Sequence, residues 1–336
     1  MVSTDLKVGL LGGGSWGTTV ASLTARNAHI TLWARDELTV NEINQKHTNE
    51  KYLPGAKLSP SLIATNNIEE AVAPMDVIVM GIPSHEFRSV LESVKAHIRS
   101  WVPVISLTKG LELDTRKRMT EIINEVLPGH PIGVLTGPNL AREIMSGYAA
   151  ASVLAMTDQV IVKEVQKIFH CGLFRVYTNH DVIGCELGGV LKNIIAIAAG
   201  MGDGQGAGEN TRSAVITRGL AEIMRLGVAL GGAEATFSGL AGMGDLVATC
   251  TSPQSRNRNV GYELGKGRSI DEIINEMYMV AEGVKSAPAV IALAEKYKIQ
   301  MPIAEEVYNV TRGNSSARNA FRGLLRAEIG AESEPG

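Results

Sequence analysis

The chain has 336 residues, of which 45% are hydrophobic and 20% are charged, a composition typical of a globular protein with a sizeable core. Its formal net charge of -3 argues against a nucleic-acid partner, which would require a basic excess. The three cysteines are scattered without metal-ligand spacing, so we expect neither a disulfide framework nor a metal site. We also expect no signal peptide and no membrane-spanning run, which predicts a cytoplasmic protein with no membrane partner.

Short apolar segments alternate with helical patterns through the first half of the chain. Most of these segments are continuously apolar, as in strands that are buried on both faces of a parallel sheet. Strands interleaved with helices predict a doubly wound α/β domain. The predicted strands are Lys7–Leu11, His29–Ala34, Asp76–Met80, Val102–Ser106, Gly133–Thr136, Ala151–Ala155 and Phe174–Thr178.

Beyond about residue 182 the pattern becomes almost entirely helical. We predict an N-terminal domain over residues 1–182, an all-helical domain over 183–330 and a disordered tail over 331–336. Pro288 and Pro302 are expected near helix starts, where a missing amide hydrogen costs little. The predicted helices are Glu186–Gly200, Asn210–Leu230, Ser269–Met277, Ser286–Tyr297 and Met301–Thr311.

A glycine motif lies between the first predicted strand and the helix after it. Gly12, Gly14 and Gly17 satisfy the G-x-G-x-x-G pattern of a Rossmann-like domain that binds a dinucleotide. The first glycine permits a tight turn, the second lets the pyrophosphate approach the backbone, and the third lets helix and strand pack closely. The helix N-terminus would supply amide hydrogens to the phosphates.

The residues after the second strand bear on the choice between NAD and NADP. An acid there binds the ribose hydroxyl of NAD, whereas an arginine suits the 2′-phosphate of NADP. This chain has Arg35 followed by Asp36, and Asp36 can simply cap the next helix. Arg35 therefore slightly favours NADP(H), and NAD stays open.

Three segments carry residues suited to reducing a phosphorylated ketone, which needs a proton donor beside the oxygen and cations for the phosphate. Lys192 and Asn193 interrupt a helix of small and apolar residues, where a lysine is either paired in the interior or extended to the surface. Lys109 follows a predicted sheet strand, on the side where ligands bind. The third segment combines Asp245, after a glycine-rich turn, with a polar cluster over residues 255–259.

Taken together, the motifs resemble those of the bacterial-type NAD(P)-dependent glycerol-3-phosphate dehydrogenases over nearly the whole chain. The matching segments are Gly12–Gly17 (GGGSWG), Thr108–Glu112 (TKGLE), Gly137–Ala141 (GPNLA), Gly189–Asn193 (GVLKN), Gly200–Asn210 (GMGDGQGAGEN), Gly239–Asp245 (GLAGMGD), Ser255–Asn257 (SRN) and Glu282–Gly283. Asn139 stands where this family commonly has serine or threonine, and Val190 where it has a smaller residue.

The resemblance implies a reversible reduction of dihydroxyacetone phosphate to sn-glycerol 3-phosphate, which supplies glycerophospholipid synthesis. It implies a substrate site between the domains, a homodimer, and Lys192 as the catalytic proton donor. Besides the three glycines, the implied cofactor contacts are Ser15, Trp16, Arg35, Lys109, Ala141, Arg256, Val280 and Glu282. The implied substrate contacts are Lys109, Gly137, Asn139, Lys192, Asp245, Ser255, Arg256 and Asn257.

Two other functions are compatible with parts of the pattern. A related dehydrogenase for a β-hydroxy acid, such as 6-phosphogluconate or 3-hydroxyisobutyrate, would also place a lysine and an asparagine on a helix after the nucleotide domain. A dinucleotide-binding redox sensor without catalysis would keep the glycine motif. The SRN and TKGLE segments favour the glycerol-phosphate enzymes over the first, and the retained Lys109, Lys192, Asp245 and Arg256 argue against the second.

Overall fold

The computed structural model describes residues 5–277 and 281–324, with side chains through residue 320. The described residues form two units, one over residues 5–108 and 118–182 and one over 109–117 and from 183 onward. Val280 and the predicted tail at 331–336 lie outside the described residues.

The first unit is built on an eight-stranded sheet in the order β3-β2-β1-β4-β5-β6-β7-β8. All neighbouring strands are parallel except β6 and β7, which are antiparallel. This confirms the predicted doubly wound fold class. The strands are β1 (Lys7–Leu11), β2 (His29–Trp33), β3 (Ile63–Thr65), β4 (Val77–Met80), β5 (Val104–Ser106), β6 (Ile132–Thr136), β7 (Ala150–Met156) and β8 (Phe174–Asn179).

Strand β4 shows why the predicted strands are continuously apolar. Val77 and Val79 belong to one buried hydrophobic cluster, whereas Ile78 and Met80 belong to another. Successive side chains of a strand point to opposite faces, so the sheet is covered on both sides. The covering helices of this unit are α1 (Ser15–Thr24), α2 (Glu37–Lys46), α3 (Ser84–Val94), a 3-10 turn (Lys95–His97), α4 (Met119–Val126), α5 (Ala141–Met145) and α6 (Ile161–Phe169).

Two features of the sheet differ from the expectation. Strand β3 was not predicted, because its three residues are too few to show a pattern. The antiparallel direction of β7 was not predicted either, since an apolar run does not encode strand direction.

The second unit is helical among its described residues, as expected for the C-terminal half. Its helices are α7 (Val182–Gly204), α8 (Glu209–Ala229), α9 (Glu234–Phe237), a π-helical turn (Leu240–Gly244), α10 (Asp245–Thr251), α11 (Arg256–Gly265), α12 (Ile270–Glu276), α13 (Glu282–Tyr297), α14 (Pro302–Thr311) and α15 (Ala317–Leu324).

Helix α7 is the central helix of this unit. By length and composition alone this helix could cross a membrane, and such a run was not expected from the sequence. In the structure, however, 89% of its most apolar window is buried inside the protein. Its apolar side chains between Leu187 and Met201 belong to the hydrophobic core of the unit. Burial on nearly all sides accounts for its apolar sequence.

The boundary between the units differs from the predicted one in one segment. Residues 109–117, which the sequence assigns to the first domain, group with the second unit. The reason is local: Leu111 lies in the core of the helical unit, and the Lys109 amine lies 2.6 Å from the Asp245 carboxylate. Pro288 also departs from expectation, because it lies inside α13, which begins at Glu282, whereas Pro302 is the first residue of α14 as predicted.

Candidate active site

The glycine turn of the first unit has the geometry that its motif predicts. Gly12 has φ +123°, a conformation that side chains rarely adopt, and a Cβ at Gly17 would lie 2.0 Å from the Gly12 carbonyl oxygen. At Gly14, by contrast, a Cβ would meet nothing within 4 Å. The turn is therefore closed where helix α1 packs on the sheet and open where a pyrophosphate would approach.

The loop after α2 supports the glycine turn from its own unit. The fully buried Asn49 donates from Nδ2 to the Gly13 carbonyl at 3.0 Å and to the Thr18 hydroxyl at 2.9 Å. Ser15 donates through its hydroxyl to the Tyr52 carbonyl at 2.8 Å. These bonds hold the Gly13 carbonyl and tie the start of α1 to the loop, so that the amides of the turn are held in place for an anion.

Trp16 lies beside the turn in the first residues of α1. Its ring meets that of Phe174 edge to face, with the ring centroids 6.2 Å apart. Its Nε1 is buried without a hydrogen-bond partner among the described residues. A buried donor of this kind is uncommon in folded proteins, and a cofactor oxygen could satisfy it.

Two charged residues follow β2, Arg35 and Asp36, and each of them pairs with an opposite charge. The Arg35 guanidinium faces Glu86 of α3, with nitrogen–oxygen distances of 3.2 and 3.3 Å. Asp36 is the N-cap of α2, where it accepts from the Leu38 amide at 3.1 Å, and it lies 3.4 Å from the Lys51 amine. The cap role that the sequence allowed for Asp36 is therefore observed.

A second turn of the first unit carries three further predicted residues. Gly137 has φ +131° directly after β6, and Ala141 is the first residue of α5. Asn139 accepts from the Ser152 hydroxyl through Oδ1, while its buried Nδ2 has no partner among the described residues. An amide with one end fixed and a donor to spare is suited to binding a substrate oxygen.

The second unit brings two lysines to one buried carboxylate. Asp245, the first residue of α10, is 2% exposed; its Oδ1 lies 2.7 Å from Nζ of Lys192, and its Oδ2 lies 2.6 Å from Nζ of Lys109. Lys192, on α7, is 6% exposed and also donates to the Thr249 hydroxyl. Of the alternatives left open by the sequence, Lys192 is therefore the paired, interior lysine.

Burial lowers the pKa of Lys109 to about 8, although the Asp245 carboxylate opposes this shift and the Lys192 cation adds to it. Desolvation disfavours the charged form of an amine, which explains the direction. Lys109 can therefore change its protonation state near neutral pH, whereas an exposed lysine remains charged.

An amide chain links α7, α11 and α13 beside these lysines. Asn193 accepts from Nδ2 of Asn257 at 2.9 Å, and Oδ1 of Asn257 accepts from the Gly283 amide at 3.0 Å. A Cβ at Gly283 would lie 2.7 Å from the Asn193 carbonyl oxygen, so only glycine allows this approach. The chain fixes Asn257 relative to Lys192, the neighbour of Asn193.

The SRN segment begins helix α11. Ser255 is the N-cap and accepts from the Arg258 amide at 3.2 Å, so Arg256 is the first helical residue. Arg256 is exposed; partial desolvation lowers the pKa of its guanidinium, and the charge of Glu282, at the start of α13, opposes this shift. An exposed guanidinium at a helix N-terminus is well placed to bind a phosphate.

Two contributing residues, Thr249 and Asp203, were not singled out by the sequence interpretation. Thr249 lies one helical turn after Asp245 and bridges the Asp245 carbonyl to Lys192. Asp203 binds Arg212 of α8 with one carboxylate oxygen and Arg258 of α11 with the other, each at 2.7 Å. The i, i+4 spacing from Asp245 could have indicated Thr249. No local signal pairs Asp203 with Arg258, which lies 55 residues further along the chain.

The doubly wound sheet with its open glycine turn, and the helical unit with its buried lysines, define the class of protein: a dehydrogenase that uses a nicotinamide dinucleotide. Two family models match, the N-terminus of NAD-dependent glycerol-3-phosphate dehydrogenase over residues 7–162 and its C-terminus over residues 181–322. The chain belongs to the NAD-dependent glycerol-3-phosphate dehydrogenase family, which confirms the resemblance indicated by the motifs.

Relatives and solved structures agree with this assignment. The chain is 68% identical to glycerol-3-phosphate dehydrogenase (NAD(P)+) 2 of Sphingopyxis alaskensis over 331 residues, which covers 98% of this chain and 99% of the relative. It is 53% identical to the corresponding enzyme of Mycobacterium avium, over 97% of this chain and 96% of that one. The crystal structure of glycerol-3-phosphate dehydrogenase from Coxiella burnetii superposes with a TM-score of 0.92 at 36% identity, covering 96% of this chain and 99% of that one.

Proposed function

We propose that this protein reduces dihydroxyacetone phosphate to sn-glycerol 3-phosphate, reversibly, with NADH or NADPH. The single observation that carries the proposal is the buried ion pair of Lys192 with Asp245, because it holds a protonated amine where a ketone oxygen could be protonated. Membership of the glycerol-3-phosphate dehydrogenase family supports the substrate.

The dinucleotide fits the residues of the first unit. The space at Gly14 and the spare donor of Trp16 suit a pyrophosphate and its neighbouring groups, and the Asn49 hydrogen bond to the Gly13 carbonyl holds the turn in shape. Ser15, Arg35 and Ala141 would contribute further contacts, as would Lys109, Arg256 and Glu282 from the second unit. When bound, the reduced nicotinamide supplies a hydride.

Proton transfer is assigned to Lys192. As the carbonyl carbon receives the hydride, its oxygen gains negative charge, and the Lys192 ammonium gives it a proton. In the oxidative direction the neutral amine takes the hydroxyl proton back. Asp245 and Thr249 hold the Lys192 nitrogen in place, which keeps the donor oriented in both directions.

Substrate binding is assigned to the polar groups around this amine. We propose that Arg256 and Asn257 bind the phosphate, with Ser255 beside them at the helix N-terminus. Lys109 and Asp245 would orient the carbonyl end, and Gly137 and Asn139 would add contacts from the first unit. The amide chain through Asn193 supports this assignment, because it fixes Asn257 without using both of its amide hydrogens.

The finer cellular statements belong to the same proposal. We propose a cytoplasmic enzyme that acts as a homodimer, has no nucleic-acid or membrane partner and supplies glycerol 3-phosphate for glycerophospholipid synthesis. The net charge of -3 supports the absence of a nucleic-acid partner.

The test is a substrate panel with both cofactors. Dihydroxyacetone phosphate is mixed with the protein and either NADH or NADPH, and the loss of cofactor absorbance is followed. Glycerol 3-phosphate, 6-phosphogluconate and 3-hydroxyisobutyrate are assayed in the oxidative direction. Turnover with a hydroxy acid but not with either triose-phosphate partner would support the β-hydroxy-acid alternative. Cofactor binding without any turnover would support the redox sensor.

A further inference from the structure

The arginine that follows strand β2 is paired with an acid of α3 that was not anticipated from the sequence. Glu86, in the first turn of α3, faces the Arg35 guanidinium through both carboxylate oxygens, at 3.2 and 3.3 Å. Such a two-point contact occupies one hydrogen-bonding edge of the guanidinium, of the kind that binds a phosphate. Arg35 is thus engaged by an anion within its own unit.

The neighbouring acid is also engaged, but by its own helix. Asp36 accepts from the Leu38 amide and the Thr39 hydroxyl, both at 3.1 Å, as it caps α2. The Leu38 hydrogen bond is the largest contribution that lowers the pKa of Asp36. Because its oxygens serve the cap and Lys51, Asp36 does not offer the dedicated ribose acceptor of a strict NAD site.

The charges at this position therefore select neither cofactor outright. An arginine there recognises the additional 2′-phosphate of NADP(H), which NAD(H) lacks. For the phosphate to bind, however, Arg35 has to release Glu86 or to accept a second anion beside it. Releasing Glu86 breaks an ion pair, and holding a second anion beside Glu86 brings two like charges together. Either event weakens the binding of NADP(H) and leaves that of NAD(H) unaffected.

We propose that Glu86 is a specificity-determining residue: it competes with the 2′-phosphate of NADP(H) for Arg35 and so reduces the preference of the enzyme for NADP(H). This inference rests on the proposed use of a nicotinamide dinucleotide and adds a cause for its selectivity. Glu86 also stabilises α3 from its position in the first turn, because acids are favoured near a helix N-terminus. The same carboxylate can therefore stabilise the helix and pair with Arg35.

The experiment compares NADPH and NADH binding in the wild-type protein and in Glu86→Gln, by fluorescence titration and by the KM for each cofactor. Glu86→Gln keeps the shape of the side chain and removes its charge. We expect NADPH affinity to rise about two- to tenfold, the range of an exposed charged pair together with relief of repulsion, and NADH affinity to stay within about twofold. Unchanged NADPH affinity, or an equal change for both cofactors, would overturn the inference.

Two further variants separate a specific effect from a general one. Glu92→Gln makes the same change of charge at an exposed position of α3 and should leave the ratio of the two affinities unchanged. In Arg35→Ala the preference for NADPH should fall. Glu86→Gln should then raise NADPH affinity less in the Arg35→Ala background than it does in the wild-type background. Equal gains in both backgrounds would show that Glu86 does not act through Arg35.

The same data distinguish failure of this inference from failure of the proposed function. A wild-type protein that binds neither cofactor would overturn both. A wild-type protein that reduces dihydroxyacetone phosphate, with a cofactor ratio that Glu86→Gln leaves unchanged, would overturn the role of Glu86 alone.

Discussion

The Nζ atom of Lys192 lies 2.7 Å from Oδ1 of Asp245, inside a helical unit where both side chains are almost fully buried. A buried ammonium is costly unless it is paired, and breaking such a pair leaves an uncompensated charge. The pair is retained here although an apolar core would be more easily built at this position. The buried ion pair has a functional explanation if the Lys192 ammonium is the proton donor of the reaction.

Replacing Lys192 by methionine should abolish most turnover without preventing cofactor binding. Methionine keeps much of the length of the side chain but cannot donate a proton, so kcat should fall about a hundred- to ten-thousand-fold. Steady-state kinetics and a titration with NADPH measure the two properties. Lys163→Met, at an exposed position of α6, is the matched control. Near-normal turnover in Lys192→Met would remove Lys192 from the mechanism.

Lys109 should give the reaction an alkaline limit. Its pKa is lowered to about 8, so it is cationic below that pH and loses its charge as the pH rises through it. The KM for dihydroxyacetone phosphate should therefore increase above a pH of about 8. Lys109→Arg stays charged over this range and should give a flatter profile, even if its turnover is lower. An identical rise of KM in both proteins would assign the limit to another group.

Two glycines of the same motif should respond differently to alanine. A Cβ at Gly14 would meet nothing within 4 Å, so Gly14→Ala should fold normally but bind the dinucleotide at least about tenfold more weakly, because the methyl group stands where the pyrophosphate approaches. A Cβ at Gly17 would lie 2.0 Å from the Gly12 carbonyl oxygen, so Gly17→Ala should lower the melting temperature. Thermal unfolding and cofactor titration are measured on both variants. Normal cofactor affinity in Gly14→Ala would place the pyrophosphate elsewhere.

Arg256 should distinguish a phosphorylated from a non-phosphorylated substrate. Arg256→Ala should raise the KM for dihydroxyacetone phosphate at least about tenfold, since a charge-assisted hydrogen bond to a phosphate contributes roughly 1.5 to 3 kcal/mol. The catalytic efficiency with dihydroxyacetone, which has no phosphate, should change far less. If both substrates were affected equally, Arg256 would act on the cofactor or on the fold and not on the substrate phosphate.

Glu222 should make the stability of the protein depend on pH. It is buried on α8, where burial raises its pKa to about 7, although it accepts hydrogen bonds from the Ile303 and Ala304 amides at 2.7 and 3.2 Å. The folded state therefore holds a proton that the unfolded state loses near pH 4.5, so this contribution to stability falls as the pH rises from about 4.5 to 7.

Glu222→Gln removes this titration. The free energy of unfolding of the wild type, relative to that of the variant, should fall by up to about 3 kcal/mol between the two ends of that range. Urea unfolding of both proteins at several pH values measures the difference. A constant difference would show that Glu222 stays ionised in the folded protein.

Local patterns in the sequence predict the doubly wound fold, but they do not reveal the whole site. The continuous apolar run of β4 predicts burial on both faces, and the spacing of Gly12, Gly14 and Gly17 predicts the turn after β1, because each depends on neighbouring residues. The pairing of Asp203 with Arg258 and the position of Lys109 beside Asp245 depend on contacts between distant residues. For Lys192, the helix pattern left burial and exposure open, and the resemblance to a family, not the pattern, indicated its role.

The grouping of residues 109–117 with the helical unit means that this unit is assembled from two separate stretches of the polypeptide. A fragment starting at residue 183 would lack Lys109, and Asp245 would keep only one of its two amines. It would also leave a gap in the hydrophobic core where Leu111 packs. An exchange of C-terminal halves between members of the family would therefore have to transfer the short upstream stretch as well, if substrate recognition is to move with the helices.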